Sequence, residues 1–461
     1  MGTLSSSLST ALSGLEAAQD VISVTSNNIA NADTAGYSRQ VANLATSPTI
    51  EDAGLTFGTG VQVQNVTSLR DSVLDLRVNQ ETQSQGQLNA FVTGGQQIQE
   101  LFNQTTGAGL QPPITAFFTS LSQLASNPSD LNTRQGVLSA AQNLATAFNQ
   151  TSGSLATLQQ NTNLQVSQTV GQINALTTQV ASVNAQIADT GGAGTNAGPL
   201  IDQRQQLLNQ LSNLVDISEI NAGNGSLTIT TTSGAPLVVA GQSFALSTQP
   251  NATTGLQDVY SQGTDITTNI NSGQLAGEIQ LRDQEIPEIQ NSLDTLAYNL
   301  ATSVNTVQET GTDLKGAAGG PLFVAPAAVA GTAASLAVAI TDPSKIAASL
   351  DGSAGDNANA NALAALQNQN IVAGQTPLNY YSGVVFKIGN DVSTALASQT
   401  TGSAVLQQIQ NLRVHISRRC RSAFAKGIFV SQSSRLLAQL SREHLLRQSL
   451  ALDARHYRRR C

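Results

Sequence analysis

Residues 4–40 read LSSSLSTALSGLEAAQDVISVTSNNIANADTAGYSRQ. Leu8, Leu15, Ile22 and Ile29 recur every seven residues, and Leu4, Ala11, Ala18 and Thr25 fill the offset position. That is the seam of a helix that needs a second helix against it. One amphipathic helix cannot bury its own stripe, and isolated helices are costly to nucleate. The partner must therefore come from elsewhere in the chain or from another subunit. The stripe stops at Asn27, Asn28 and Asn31, residue types that favour caps and turns. Gly36 follows, which permits backbone conformations that other residues resist. Tyr37 next to it has an apolar ring with a polar tip, able to serve a neighbour.

Beyond this segment the pattern stays mainly α with an inserted β region. GTGVQVQNV (58–66) alternates as a short strand, and helical spacing then returns at Leu88, Phe91, Val92, Ile98, Leu101 and Phe102. Pro112 and Pro113 suit a helix start, and NPSD (127–130) caps the segment after it. Val166, Val170, Ile173, Leu176, Val180, Val183 and Ile187 form the longest run of three-and-four spacing. A loop at 189–199 precedes a shorter helix at 200–215, so the region reads as a bundle of long, thin antiparallel rods.

The period changes to two after Ile217, with Asn224–Gly225 as a hairpin turn. Helical spacing resumes at Ile286, Ile289, Leu293, Leu296, Leu300 and Val304. AASLAVAI (333–340) reads as a strand and NALAALQNQ (361–369) as a helix, before a last helical stretch at 379–413. The divisions expected are an assembly helix and signature loop (1–45), the first part of a helical bundle (46–215), and a small β domain (216–281). After them come a bundle return (282–309), a Gly/Ala-rich irregular segment (310–378), a second bundle return (379–413) and an atypical tail (414–461).

Little in the sequence suggests chemistry. Residues 1–413 contain no Cys and no His, which removes thiolate metal sites, disulfides and histidine catalysis from the body. There is no phosphate loop ending in Lys-Ser/Thr and no G-x-S-x-G. Asp283, Glu285 and Glu288 read as carboxylates favoured at a helix start, and Asp202 with Arg204 as a surface or interface pair. No catalytic, cofactor-binding or metal residue is expected, and an enzyme has no support. No apolar run is long enough to span a bilayer, and the N-terminus lacks the basic region of a cleavable signal.

Charge divides the chain sharply. Residues 1–413 hold 10 basic and 27 acidic residues, whereas 414–461 hold 11 basic and 2 acidic ones with all three His and both Cys. Leu436, Leu437, Leu440, Leu445, Leu446 and Leu450 lie among those basic residues. Three readings fit: a basic amphipathic module for nucleic acid or an acidic membrane surface, a solvated tail, or a shifted reading frame. The abruptness of the switch favours the shifted frame.

The segment 11–40 resembles the N-terminal signature of bacterial flagellar axial proteins, the rod, hook and hook–filament junction family. The body separates the branches. LASNPSDLNTRQGVLSAAQNLATAFN (124–149), LIDQRQQLLNQLSNLVDIS (200–218) and LRDQEIPEIQNSLDTLAYNLATSVN (281–305) are similar to hook–filament junction members. So are GTDLKG (311–316), GDNANANALAALQN (355–368) and YYSGVVFKIG (380–389). A hook or rod protein would share the signature but not the long bundle.

The resemblance implies terminal coiled-coil helices, a helical domain, outer β domains and a structural role. It implies a ring of identical subunits touching hook protein, a second junction protein and flagellin, with an export chaperone before secretion. Neither nucleic acid nor membrane is an implied partner. The location implied is extracellular, at the hook–filament junction, reached through the flagellar secretion apparatus without a cleaved signal. Leu4, Leu8, Leu15, Ile22 and Ile29 would form the assembly face, with Asn27, Asn28, Asn31, Gly36, Tyr37 and Arg39 as the signature loop. Two departures stand out: Ala35 where relatives often carry proline, and nothing after Arg413 like the family's terminal helix. Sequencing the gene around codons 413–420 is expected to reveal a frame shift; an unbroken frame in independent isolates would overturn that reading.

Overall fold

The computed structural model describes residues 2–413 apart from 33, 35, 53–54, 104–108, 191–196, 224 and 354. Ala35, Asn224 and the tail from Val414 onward lie outside the described residues. The chain divides into two units, residues 1–78 with 194–199 and 404–461, and residues 79–193 with 200–403.

In the first unit, α1 (Gly2–Ala30) is followed by strands β1 (Gln40–Thr46), β2 (Ile50–Asp52), β3 (Leu55–Phe57) and β4 (Val61–Ser68). β1 pairs antiparallel with β4, with a bulge at Asn43/Leu44, and β2 pairs with β3. The sequence reading anticipates only the last of these strands. β1 carries polar residues on both faces, and β2 and β3 are three residues each, too short to show the alternation that marks a half-buried strand. α2 (Ser72–Leu101) begins in this unit. Its Leu74 and Val78 pack with Ile409 of the last described helix, α10 (377–413). Asp75 near the start of α2 is held between Arg70 at 3.2 Å and Arg413 at 3.1 Å. The two helices are therefore antiparallel.

The second unit contains the rest of α2, α3 (Gln111–Ser126), the 59-residue α4 (Leu131–Asp189) and α5 (Gly198–Leu214). The Asp130 carboxylate caps α4 by accepting from the Asn132 and Thr133 amides, as the NPSD reading anticipates. Its hydrophobic core is aromatic at the centre: Phe117 meets Phe118 at 5.4 Å and Phe323 at 5.7 Å, with Phe148, Leu121, Leu293 and Leu300 around them. Tyr381 of α10 is fully buried, and its hydroxyl accepts the Leu110 amide at 3.0 Å.

Strands β5 (Ser218–Asn221), β6 (Leu227–Thr230), β7 (Pro236–Val239) and β8 (Gln242–Ser243) form one antiparallel sheet in sequence order. β9 (Leu246–Pro250), β10 (Gln257–Ser261) and β11 (Thr264–Asp265) form a second. α6 (Gln274–Gln280) then leads through a π turn, Leu281–Glu285, directly into α7 (Ile286–Thr310). The helix thus starts about three turns before the spacing at Ile286 suggests. The wide π turn precedes Pro287, whose missing amide would break an ordinary α ladder there.

This geometry also corrects the reading of Asp283, Glu285 and Glu288 as carboxylates at a helix start. Asp283 receives a two-pronged guanidinium from the fully buried Arg282, while Glu285 and Glu288 pair with Lys387. AASLAVAI is not a strand: 332–335 form a short helix, α8 (Thr332–Ser335), and only Val338 bridges to Phe323. Asn305 and Phe323 exchange two hydrogen bonds there, so a side chain supplies pairing that a strand would have supplied. α9 (Ala358–Ala365) falls on the helical stretch expected at 361–369. Arg204 is buried rather than on the surface, donating to Asn184 at 2.9 Å and to the Gly225 carbonyl at 2.8 Å.

Glu278 on α6 is buried, its Oε1 accepting Thr169 at 3.0 Å and Gln274 at 2.7 Å. Burial pushes its carboxyl above the usual range, against the pull of those hydrogen bonds. Between the usual value and the raised one, the folded chain keeps a proton that the unfolded chain has released, so stability falls as pH rises through that window. Glu278→Gln is therefore expected to stabilise the protein near neutral pH. The gain should vanish in acid, as denaturant titrations at several pH values would show.

Candidate assembly surface

α1 has two different faces. Thr10, Ser13, Gly14, Ala17, Val21, Val24 and Asn28 follow helical spacing, are small or medium in size, and are buried or half-buried. This face lies on β1 and β4. The Ser13 hydroxyl accepts the Val61 amide at 3.3 Å, and a methyl group at Gly60 would overlap that hydroxyl. Gly60 also sits at φ +118°, where a side chain is strained. The small residues of the helix and the glycine of the hairpin together allow the close approach.

The other face is the heptad seam. Leu8 is 71% exposed and Ile29 68%, with Leu15, Ile22 and the additional Leu12 also exposed. Leu4 lies in the same helix, its side chain outside the described residues. Among the described residues no helix covers this stripe. Each such side chain gains about 1.5–3 kcal/mol when fully buried, so the stripe favours a covering partner strongly.

The signature loop locks the helix to the hairpin. Asn28 donates to the Gln40 carbonyl at 2.8 Å and accepts the Gln40 amide at 2.8 Å and the Tyr37 hydroxyl at 2.9 Å. Asn31 donates to the Asn27 side chain at 2.6 Å and accepts Thr34 at 3.3 Å. Gly36 adopts φ +81°, the left-handed conformation its place in the turn calls for. The Arg39 carbonyl accepts the Leu69 amide at 2.8 Å, tying the entry of β1 to the exit of β4. The polar tip of the half-buried Tyr37 is engaged inside the chain by Asn28. Ser13 and Gly60 escaped sequence reading, although the small-residue spacing 13, 14, 17 and the GTG at 58–60 were visible.

A rigidly seated helix with an open apolar seam, joined to a helix-rich body, is the build of a structural protein that assembles. Comparisons with known proteins agree. Residues 95–323 match the family described as flagellar hook-associated protein FlgK helical domain, and residues 8–37 match flagella basal body rod protein. Flagellar hook-associated protein 1 of Bacillus subtilis is 30% identical over 453 aligned residues, covering 85% of this chain and 87% of the relative. That of Escherichia coli is 31% identical over 69% of this chain, which spans about three-fifths of the relative (60%). The solved flagellar hook junction protein FlgK from Burkholderia pseudomallei shares the fold, with a TM-score of 0.65 at 19% identity over 73% of this chain and 99% of that one. The chain belongs to the flagellar hook-associated protein 1 family, and its role is that of a structural component of the flagellum.

Asn28→Ala removes three hydrogen bonds and leaves both backbone groups of Gln40 without their side-chain partner. A loss of about 2 kcal/mol in local stability is expected. Hydrogen exchange at the Gln40 amide would read it, with little change in the second unit.

Proposed function

We propose that this protein is a junction subunit: copies associate through the α1 seam into a short ring joining hook to filament. One observation carries the reading. The apolar heptad of Leu8, Leu15, Ile22 and Ile29 is exposed along a helix whose opposite face is already fixed to its own hairpin. Fixing the helix in advance removes the ordering cost that a loose helix would bring to association. Within the ring, Asn27 and Asn31 at the helix end are exposed or half-exposed and lie at the edge of the contact, while Asn28, Gly36, Tyr37 and Arg39 hold its geometry.

The relatives' printed names, hook-associated protein 1 and hook junction protein, support the hook on one side of the ring; a second junction protein and flagellin on the other are what the family resemblance implies. Export before assembly would follow the flagellar secretion route with a chaperone, and the site of action would be extracellular. The role is non-catalytic. The reading as another axial protein, of hook or rod type, rests on residues 8–37 alone, whereas the match over 95–323 favours the junction branch.

The test is the composition of purified hook–filament structures. The unaltered chain is expected at the junction, and Ile22→Asp is expected to be absent from it while keeping the helical circular dichroism of the parent. Absence of the unaltered chain, or undiminished incorporation of Ile22→Asp, would overturn the reading.

A further inference from the structure

Among the described residues, the first unit has a second uncovered apolar face. Leu74 and Val78 of α2 point at Ile409 and Leu406 of α10. Val73 and Arg77 each come one residue before those inward positions, and Val405 likewise precedes Leu406. In an antiparallel pair, one step back along each helix turns to the same side of both. Val73, Arg77, Val405 and Leu412 (seven residues after Val405) therefore line one side of the pair. Val73 is 64% exposed, and Val405 and Leu412 are also exposed. Asp71, the exposed acid just before α2, has its carboxylate engaged by the Val73 and Leu74 amides.

We infer that this groove receives the α1 seam of a second copy, making a three-helix contact between subunits; the inference rests on the assembly role proposed for α1. Three observations select that occupant. The seam and the groove belong to one unit and are both exposed, so a chain's own α1 does not fill its groove. Both stripes have coiled-coil spacing, with Leu8, Leu15 and Ile22 on one side and Val405 and Leu412 on the other. The charges are complementary: the only ionic side chains of α1 are Glu16 and Asp20, whereas the groove is edged by the exposed Arg77. A contact between two different faces repeats from copy to copy, as a ring requires.

Single-cysteine variants of the full chain test this, with Cys420 and Cys461 replaced by Ser. Oxidising a mixture of Leu15→Cys and Val73→Cys copies is expected to yield mostly mixed disulfide dimers. Seam-to-seam dimers alone would overturn this inference while leaving the assembly role of α1 intact. Groove-to-groove dimers alone, or no dimers, would overturn it as well. In sedimentation, Arg77→Glu is expected to weaken self-association about threefold, the scale of an exposed ion pair. Adding Glu16→Arg and Asp20→Arg should restore it, and failure of that rescue would count against the groove. Val73→Asp should weaken it by about tenfold or more.

Discussion

One interaction recurs at four places where a helix of this protein meets irregular or extended backbone: an asparagine amide that answers both the N–H and the C=O of a single residue. Asn28 does this for Gln40, Asn174 for Leu246, Asn184 for Leu227 and Asn305 for Phe323. The side chain imitates one rung of a strand pairing. Backbone groups that would be buried without partners are satisfied, at a site where no strand could fit against a helix. Long thin helices with few aromatic residues cannot anchor outlying strands through a thick core. A directional polar contact does so instead, and each strand meets its helix in one register.

At α1 that contact has a further effect. Asn28 at one end and Ser13 with Gly60 nearer the other fix the rotation of the helix on its hairpin. Fixing the rotation decides which residues face outward. Without it, a helix with apolar residues on most of its surface could turn Leu15 or Ile22 onto the hairpin and lose its open seam. The small side chain at Ser13 works in the same direction, because Gly60 of the hairpin sits directly against it.

The helices were legible because their apolar residues keep a period over many turns, as in Val166 to Ile187, and because Asp130 caps in the ordinary way. The seam of α1 was legible for the same reason, and so were Asn28 and Gly36, whose residue types announce a turn. What escaped were features set by contact. β1 lacks alternation because it lies on a small-residue helix face, and β2 and β3 are too short, at three residues each, to show a period. The early start of α6 was hidden by Pro287, which the π turn accommodates. AASLAVAI carries the composition of a strand, yet Asp294 and Asn149 claim the Ala333 backbone in a short helix, and only residues 337–339 pair with 322–324. Arg204 looked like a surface charge, because nothing local in the sequence signals that Asn184 and Gly225 will surround it.

The two units also differ in how far they can stabilise themselves. Among the described residues, the buried apolar side chains of the first are Ala17, Leu74, Val78, Ala197 and Ile409, whereas the second holds the continuous core from Ile98 to Ile388. A unit with so little buried apolar area cannot offset much conformational entropy. Its exposed side chains on α1, α2 and α10 are the reserve that would offset it, and they act only when a partner covers them. Association then stabilises the unit by mass action, the more so the higher the local concentration of copies. A chain delivered one copy at a time to a growing structure would find that concentration only at the site of assembly. On the proposed assembly role, the exposed faces of the first unit would serve placement, being covered only where neighbours are present, while the second unit has a core of its own.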